Sequence, residues 1–189
     1  MLIRYAVAAL TCALLASPAL ADFEEGALAY RKGDFPAALK ELEPLVAQGD
    51  AAAQFLAGSA YANAKPPLQD FAQAEKLLRA AAAQGHIKAM VSLGELFLLY
   101  KQPADGKQAF EWYKMAAEHC DSEGQFWMGL GHFEGKSLAK DLPSAWMWFT
   151  LASLRGHLLA AATQHSLRDK FSDADVAAGT QRVRQWHCQ

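Results

Sequence analysis

Apolar positions recur at helical spacing along this chain, in stretches of twelve to fifteen residues that are punctuated by Gly, Pro and Asp and that themselves repeat. Four stretches end in matching phrases: Ala47-Gln48-Gly49-Asp50, Ala83-Gln84-Gly85-His86, Glu118-His119-Cys120-Asp121 and Leu154-Arg155-Gly156-His157. Gly49, Gly85, Cys120 and Gly156 are spaced by 36, 35 and 36 residues. Gly58, Gly94 and Gly129 keep the same step, as do Ala38, Ala74, Ala109 and Ala145. Each period predicts two helices. In the second unit they run from Ala51 to Ala62 and from an Asp70 N-cap to Gln84, with Pro66-Pro67 in the loop between and Gly85 as the stop. The third unit predicts Ile87 to Tyr100, a break at Pro103, and a helix from Asp105 or Gly106 to His119. The fourth predicts Ser122 to Glu134 and a helix following Asp141, with Pro143 in its first turn, where a missing N–H costs little. A shorter first unit, Phe23 to Arg31 and Asp34 to Ala47, and a closing pair, Leu158 to Lys170 and Ser172 to His187, complete the count. The fold class expected is all-α, a right-handed α/α solenoid of about five antiparallel helix pairs, with units near 22–50, 51–86, 87–121, 122–157 and 158–189.

Composition agrees with this reading. The chain has 39 Ala against 11 β-branched residues in 189, which suits helices and leaves too little Val, Ile and Thr for a sandwich, a barrel or a doubly wound sheet. The repeated small residues have a packing reason too. A mid-helix glycine costs about 1 kcal/mol relative to alanine, so Gly58, Gly94 and Gly129 predict close helix approach. The facing large residues are Leu77-Leu78, Trp112-Tyr113 and Trp148-Phe149.

The N-terminus reads as an export signal, residues 1–21: Met1 to Arg4 carries one positive charge, Tyr5 to Ala16 is apolar, and Ala19-Leu20-Ala21 offers small residues for cleavage before Asp22. The apolar stretch is shorter than the roughly 20 residues needed to span a bilayer. Cys12 lacks a convincing lipobox in front of it. Removing the segment takes away one cation and leaves 17 basic against 20 acidic residues, with no run of Lys or Arg. Nothing supplies the basic footprint that nucleic acid or an anionic membrane requires, so neither is an expected partner.

The residues Leu93-Gly94-x-x-Phe97 followed by Ala109-x-x-Trp112-Tyr113-x-x-Ala116-Ala117, and Met128-Gly129 leading to Asp141, Ala145 and Trp148-Phe149, resemble the Sel-one-like repeat, a cousin of the tetratricopeptide repeat with longer turns. The resemblance spans about Asp34 to Trp186. His132 stands where the family usually has Tyr, and Cys120 where it usually has Gly. The tail from Phe171 to Trp186 is similar to the closing helix of exported bacterial members. The resemblance implies a non-enzymatic scaffold, and the cleaved signal makes it an expected periplasmic or secreted protein of a Gram-negative bacterium, monomeric or weakly oligomeric. Its superhelix would bind a protein or peptide in envelope assembly, secretion or host contact. By analogy with tetratricopeptide solenoids, the first helix of each pair lines the concave face. Counting three before, one after, and four and five after the mid-helix glycine gives Phe55, Ser59, Ala62 and Asn63 in the second unit. The third gives Val91, Glu95, Leu98 and Leu99, and the fourth gives Phe126, Leu130, Phe133 and Glu134. These would form an apolar trough with Glu95 and Glu134 as its polar marks. The same residues could instead pack neighbouring first helices together.

Other chemistry finds little support. Ser137-Leu138-Ala139-Lys140 fits the S-x-x-K nucleophile motif of penicillin-recognising enzymes, which would make Ser137 and Lys140 the centre of a weak lactam-binding or lactam-hydrolysing activity. The partner motifs are missing: Ser172-Asp173-Ala174 is not S-D-N and no K-T-G occurs. The six histidines include no H-x-x-x-H pair, and His86 and His157 fall at equivalent repeat ends, so neither metal nor cofactor is expected. Cys120 and Cys188 end the second helices of the third and fifth units. At about 8 to 10 Å per helix layer they should lie beyond the roughly 7 Å Cα limit of a disulfide, so both are expected free or paired between molecules unless the tail folds back.

Overall fold

The computed structural model describes residues 18–100 and 104–188. Among the described residues ten α-helices follow one another: α1 (Pro18–Arg31), α2 (Phe35–Ala47), α3 (Ala51–Asn63), α4 (Phe71–Ala83), α5 (Ile87–Glu95), α6 (Gly106–Glu118), α7 (Ser122–Glu134), α8 (Leu142–Leu154), α9 (Leu158–Ser166) and α10 (Asp173–Gln185). There are no strands among the described residues. The helices pair α1 with α2, α3 with α4, α5 with α6 and α7 with α8, and each second helix also packs on the next first helix, which makes a right-handed α/α solenoid. Most of the expected export signal, with Cys12, and the break at Pro103 lie outside the described residues.

Repeated side chains start and stop these helices. Asp34, Asp70, Asp105 and Asp141 accept N-cap hydrogen bonds at the second helices, and Asp50 and Asp121 do so at first helices, at 2.7 to 3.2 Å. His86 takes the same role through Nδ1, which accepts from the Ala89 N–H at 3.3 Å. At the stops, the backbone N–H groups of Asp50, His86, Asp121 and His157 donate back to the carbonyls of Leu45, Ala81, Ala116 and Ala152. That closure needs a left-handed residue just before each donor, and Gly49, Gly85 and Gly156 supply it at φ of 81° to 85°. Cys120 adopts φ 63° at the equivalent point without glycine's freedom.

The mid-helix glycines meet the large residues of the paired helix. A Cβ on Gly58 would lie 2.9 Å from Leu78 Cγ, on Gly94 2.4 Å from Tyr113 Cε1, and on Gly129 2.6 Å from Phe149 Cδ1. Gly26 has the same relation to Leu42, so the first unit keeps the device although its period is shorter. Leu42, Leu78, Tyr113 and Phe149 are fully buried, as are Ala38, Ala74, Ala109 and Ala145. Small residue against large residue is thus the repeated contact that lets each pair close.

Two elements differ from the sequence expectation. The predicted helix from Ile87 to Tyr100 widens into a π-helical turn over Leu96–Tyr100. There the Phe97 carbonyl accepts from the Asp105 N–H of the following loop, and Leu96 and Phe97 both reach the core. The expected closing pair is also irregular. The chain leaves α9 through a 3₁₀ turn at Arg168–Lys170, and α10 then lies most extensively along α8. Gly179 permits this contact, since a Cβ there would lie 2.7 Å from the Pro143 carbonyl oxygen. Trp186 packs edge-on against Trp148 with ring centroids 4.6 Å apart.

That return overturns the expectation of free or intermolecularly paired cysteines. Cys120 and Cys188 are joined to each other, with Cα atoms 5.5 Å apart. Counting layers placed Cys188 too far away because it assumed that α10 stacks beyond α9. Lying along α8 instead, α10 returns the tail to the end of α6. The Arg155 guanidinium lies against the disulfide, with Nη2 2.7 Å from Cys120 Sγ and 3.2 Å from Cys188 Sγ.

Candidate functional site

The first helices α3, α5 and α7 carry ten of the twelve positions counted for the trough, and the other two, Leu98 and Leu99, lie on the π turn that prolongs α5. The structure sorts them into separate hollows rather than one continuous channel. Leu98, Leu130 and Glu134 share a hollow of about 280 Å³ with Phe110, Trp127 and Ser137. Phe55, Val91 and Glu95 share one of about 260 Å³ with Lys88, Asp121 and Glu123. Phe126 forms the inner wall of a third, about 360 Å³, with Glu123, His157, Leu158 and Leu159. Glu123 belongs to both of the latter two.

The remaining positions serve other ends. Ser59 and Ala62 are buried, because α3 is covered by α1 on one side and α5 on the other. Asn63 is exposed and donates through Nδ2 to the Tyr30 hydroxyl at 3.2 Å. Leu99 is exposed but lines none of these hollows. Phe133 turns toward the C-terminal cluster, its ring 5.6 Å from that of Phe171, and the Lys140 ammonium lies 5.9 Å from its centroid. Lys140 therefore covers an aromatic ring, while Ser137 lines the first hollow and abuts Gly106.

Aromatic stacking sets the walls. Phe55 stacks on His86 at 4.5 Å and Phe126 stacks on His157 at 4.3 Å, the same pair two periods apart. Val91 takes the equivalent place in the unit between, where Asp121 replaces the histidine. Trp127 stacks on Tyr113 at 5.1 Å and an interplanar angle of 7°. The Tyr113 hydroxyl and Trp127 Nε1 are both buried without a hydrogen-bond partner among the described residues.

The two predicted acidic marks are electrostatically different. Glu134 is exposed and holds the Lys136 ammonium at 3.1 Å. Glu95 is part-buried, and burial pushes its carboxyl pKa up, with the charge of Glu123 adding to the effect. Burial, then Glu95 and Glu123, also push the Tyr113 phenol up. Glu123 accepts from His157 Nε2 at 3.0 Å. Sequence reasoning missed Trp127, Glu123, Leu158 and Leu159. Trp127 falls between two counted positions, Glu123 lies a turn before the first of them, and the leucines belong to α9, which has no mid-helix glycine to count from.

A stack of helix pairs closed by small-against-large contacts defines an α/α repeat architecture. The Sel1 repeat matches residues 51–86, 87–119 and 122–157, more than half of the chain, and the chain belongs to the Sel1 repeat family. It is 32% identical over 120 residues to an uncharacterized protein of Neisseria meningitidis serogroup B, covering 64% of this chain and 22% of that one. Its fold is similar to that of a protective antigen present in uropathogenic Escherichia coli strains, which displays an SLR fold. The TM-score is 0.72 at 25% identity, covering 88% of this chain and 38% of the antigen. A Sel1 repeat protein from Oxalobacter formigenes matches with TM-score 0.67 at 24% identity, over 89% of this chain and 71% of that one. The chain thus spans about a fifth of the Neisseria relative and well under half of the E. coli antigen. Sel1 repeats typically mediate protein–protein interaction and are generally non-catalytic.

Proposed function

We propose that this protein is an exported, non-catalytic adaptor that holds a segment of a protein or peptide partner against the face lined by α3, α5 and α7. The observation that carries this reading is the hollow walled by Leu98, Phe110, Trp127 and Leu130, apolar side chains from two adjacent units that leave a concavity between them. A preformed hollow of this kind suits a side chain of an extended or helical segment, because the receiving surface needs little ordering on binding. Export, to the periplasm or beyond, is supported by the charged, apolar and small-residue succession of residues 1–21. No described helix is long and apolar enough to cross a membrane.

The test is a crosslinking pull-down from cell envelopes with wild type and Leu130→Glu. Leu130 is only half-buried, so the variant keeps the core while placing a charge in the hollow. Loss of capture by the variant supports the reading, and undiminished capture contradicts it. Phe126→Ala is a poorer probe, since Phe126 is 9% exposed and packs on Phe149. Turnover of the chromogenic lactam nitrocefin that disappears in Ser137→Ala would overturn the non-catalytic part of the proposal.

A further inference from the structure

The hollow of Phe55, Val91 and Glu95 holds a charge imbalance that the fold leaves open. Three carboxylates line it, Glu95, Asp121 and Glu123, against one ammonium, the exposed Lys88. Asp121 is occupied as an N-cap toward Gly124, and Glu123 accepts from His157. Glu95 has neither a hydrogen bond nor an ion pair among the described residues. The contrast with Glu134, which sits at the other hollow and holds Lys136, shows that the chain can supply a cation where it needs one. A part-buried carboxylate without a counter-charge is costly, and the cost is relieved when a cation arrives from outside. The carboxylates are not gathered closely enough to hold a metal ion, for no such grouping occurs among the described residues. The cation that fits is one carried on a side chain, and the surroundings say what flanks it. Phe55 and Val91 wall the same hollow, and Glu123 leads into the next, where Leu158 at 92% and Leu159 at 61% exposure stand beside Phe126.

Resting on the adaptor reading above, we infer that the partner segment is basic and apolar together: a lysine or arginine seated against Glu95, with a neighbouring apolar residue on Phe55 and Val91 or on Leu158 and Leu159. The charge pair fixes register, and the apolar contacts supply most of the affinity.

The probe is a fluorescently labelled ten-residue peptide of alternating lysine and leucine spaced by serine. It is compared with the same peptide carrying glutamate for lysine, and with one carrying serine for leucine. Anisotropy titrations use the purified full chain, its Glu95→Gln and Lys88→Glu variants, and Leu130→Glu, with circular dichroism confirming that each is folded. The expected result is binding of the lysine–leucine peptide alone, weakened about tenfold by Glu95→Gln and strengthened by Lys88→Glu. Equal binding of the lysine and glutamate peptides, or affinity unchanged by Glu95→Gln, overturns the inference. If no peptide binds while Leu130→Glu still abolishes capture from envelopes, the basic-segment inference alone falls. If capture is also unaffected, the adaptor reading falls with it.

Discussion

At the scale of single residues, the most informative positions are those where a side chain is missing. Gly94 shows why. Replacing a mid-helix glycine by alanine ordinarily stabilises a helix by about 1 kcal/mol. Here the added methyl would meet the fully buried Tyr113 ring at 2.4 Å. Overpacking of a core contact of this kind costs about 1 to 3 kcal/mol. Gly94→Ala is therefore expected to lower the urea midpoint despite its better propensity, and a raised midpoint would refute the packing argument. Cys120 is the opposite case, a residue with a Cβ where the repeat favours none. Its φ of 63° carries the penalty that the glycines at 49, 85 and 156 avoid. In a Cys188→Ser background, which removes the disulfide first, Cys120→Gly should recover about 1 kcal/mol in urea unfolding. No gain there would mean that the turn relaxes once the bond is gone. Glu95 adds a third residue-scale expectation: Glu95→Gln should be more stable than wild type at pH 7, by about 0.5 kcal/mol or more, because it removes an uncompensated carboxylate. Calorimetry of the unliganded proteins measures this.

At the scale of elements, α10 decides how the array ends. It is held by the disulfide, by Trp186 on Trp148, and by Arg182, whose Nη1 donates to Asp141 Oδ2 at 2.8 Å. The bond closes a 68-residue separation, so Cys188→Ser should lower the unfolding free energy by about 2 to 4 kcal/mol. Hydrogen exchange should quicken in α10 and along its contact with α8 before it changes in α3 and α4. A loss spread evenly over the chain would contradict this. Burial alone would raise the Asp141 pKa, but the hydrogen bonds from Arg182 and Ser144 outweigh it and hold the carboxyl below its ordinary range. The sign follows. The stabilisation is complete above the unfolded aspartate value of about 3.9 and is lost as pH falls from there through the lower folded value. Asp141→Asn should flatten that part of the acid limb, measured as urea midpoints between pH 5.5 and 2.5.

The helices of the repeats were legible in the chain because capping aspartates, stop glycines and small-large columns recur at one period, and each has a local physical cause. The π turn at Leu96–Tyr100 was not, since it depends on the Phe97 carbonyl finding a loop donor in place of a helical one. The path of α10 was not legible either. The periodic count gives each helix its length and face but says nothing about whether a terminal helix continues the stack or turns back. The candidate site was read in part. Counting from the glycine brought Phe55, Val91 and Glu95 together, and likewise Leu98, Leu130 and Glu134. It also counted Ser59, which the flanking α1 and α5 bury, because register alone cannot tell a helix covered on both sides from one left open.

At the scale of the whole molecule, the repeats build an extended surface. Each pair contributes one first helix to a common face, so hollows form between neighbouring units, and their walls differ in charge and shape. Glu123 links two of them, and the exposed Leu158 and Leu159 extend the apolar surface onto α9. On the adaptor proposal, partner contact falls on the first-helix layer and not on the second. Site-specific photocrosslinking in intact cells tests this most directly, with a photoreactive residue at Leu130 in α7 or at the exposed Met115 in α6. A discrete crosslinked adduct is expected from position 130 and none from position 115. The same adduct from 115, with none from 130, would contradict it.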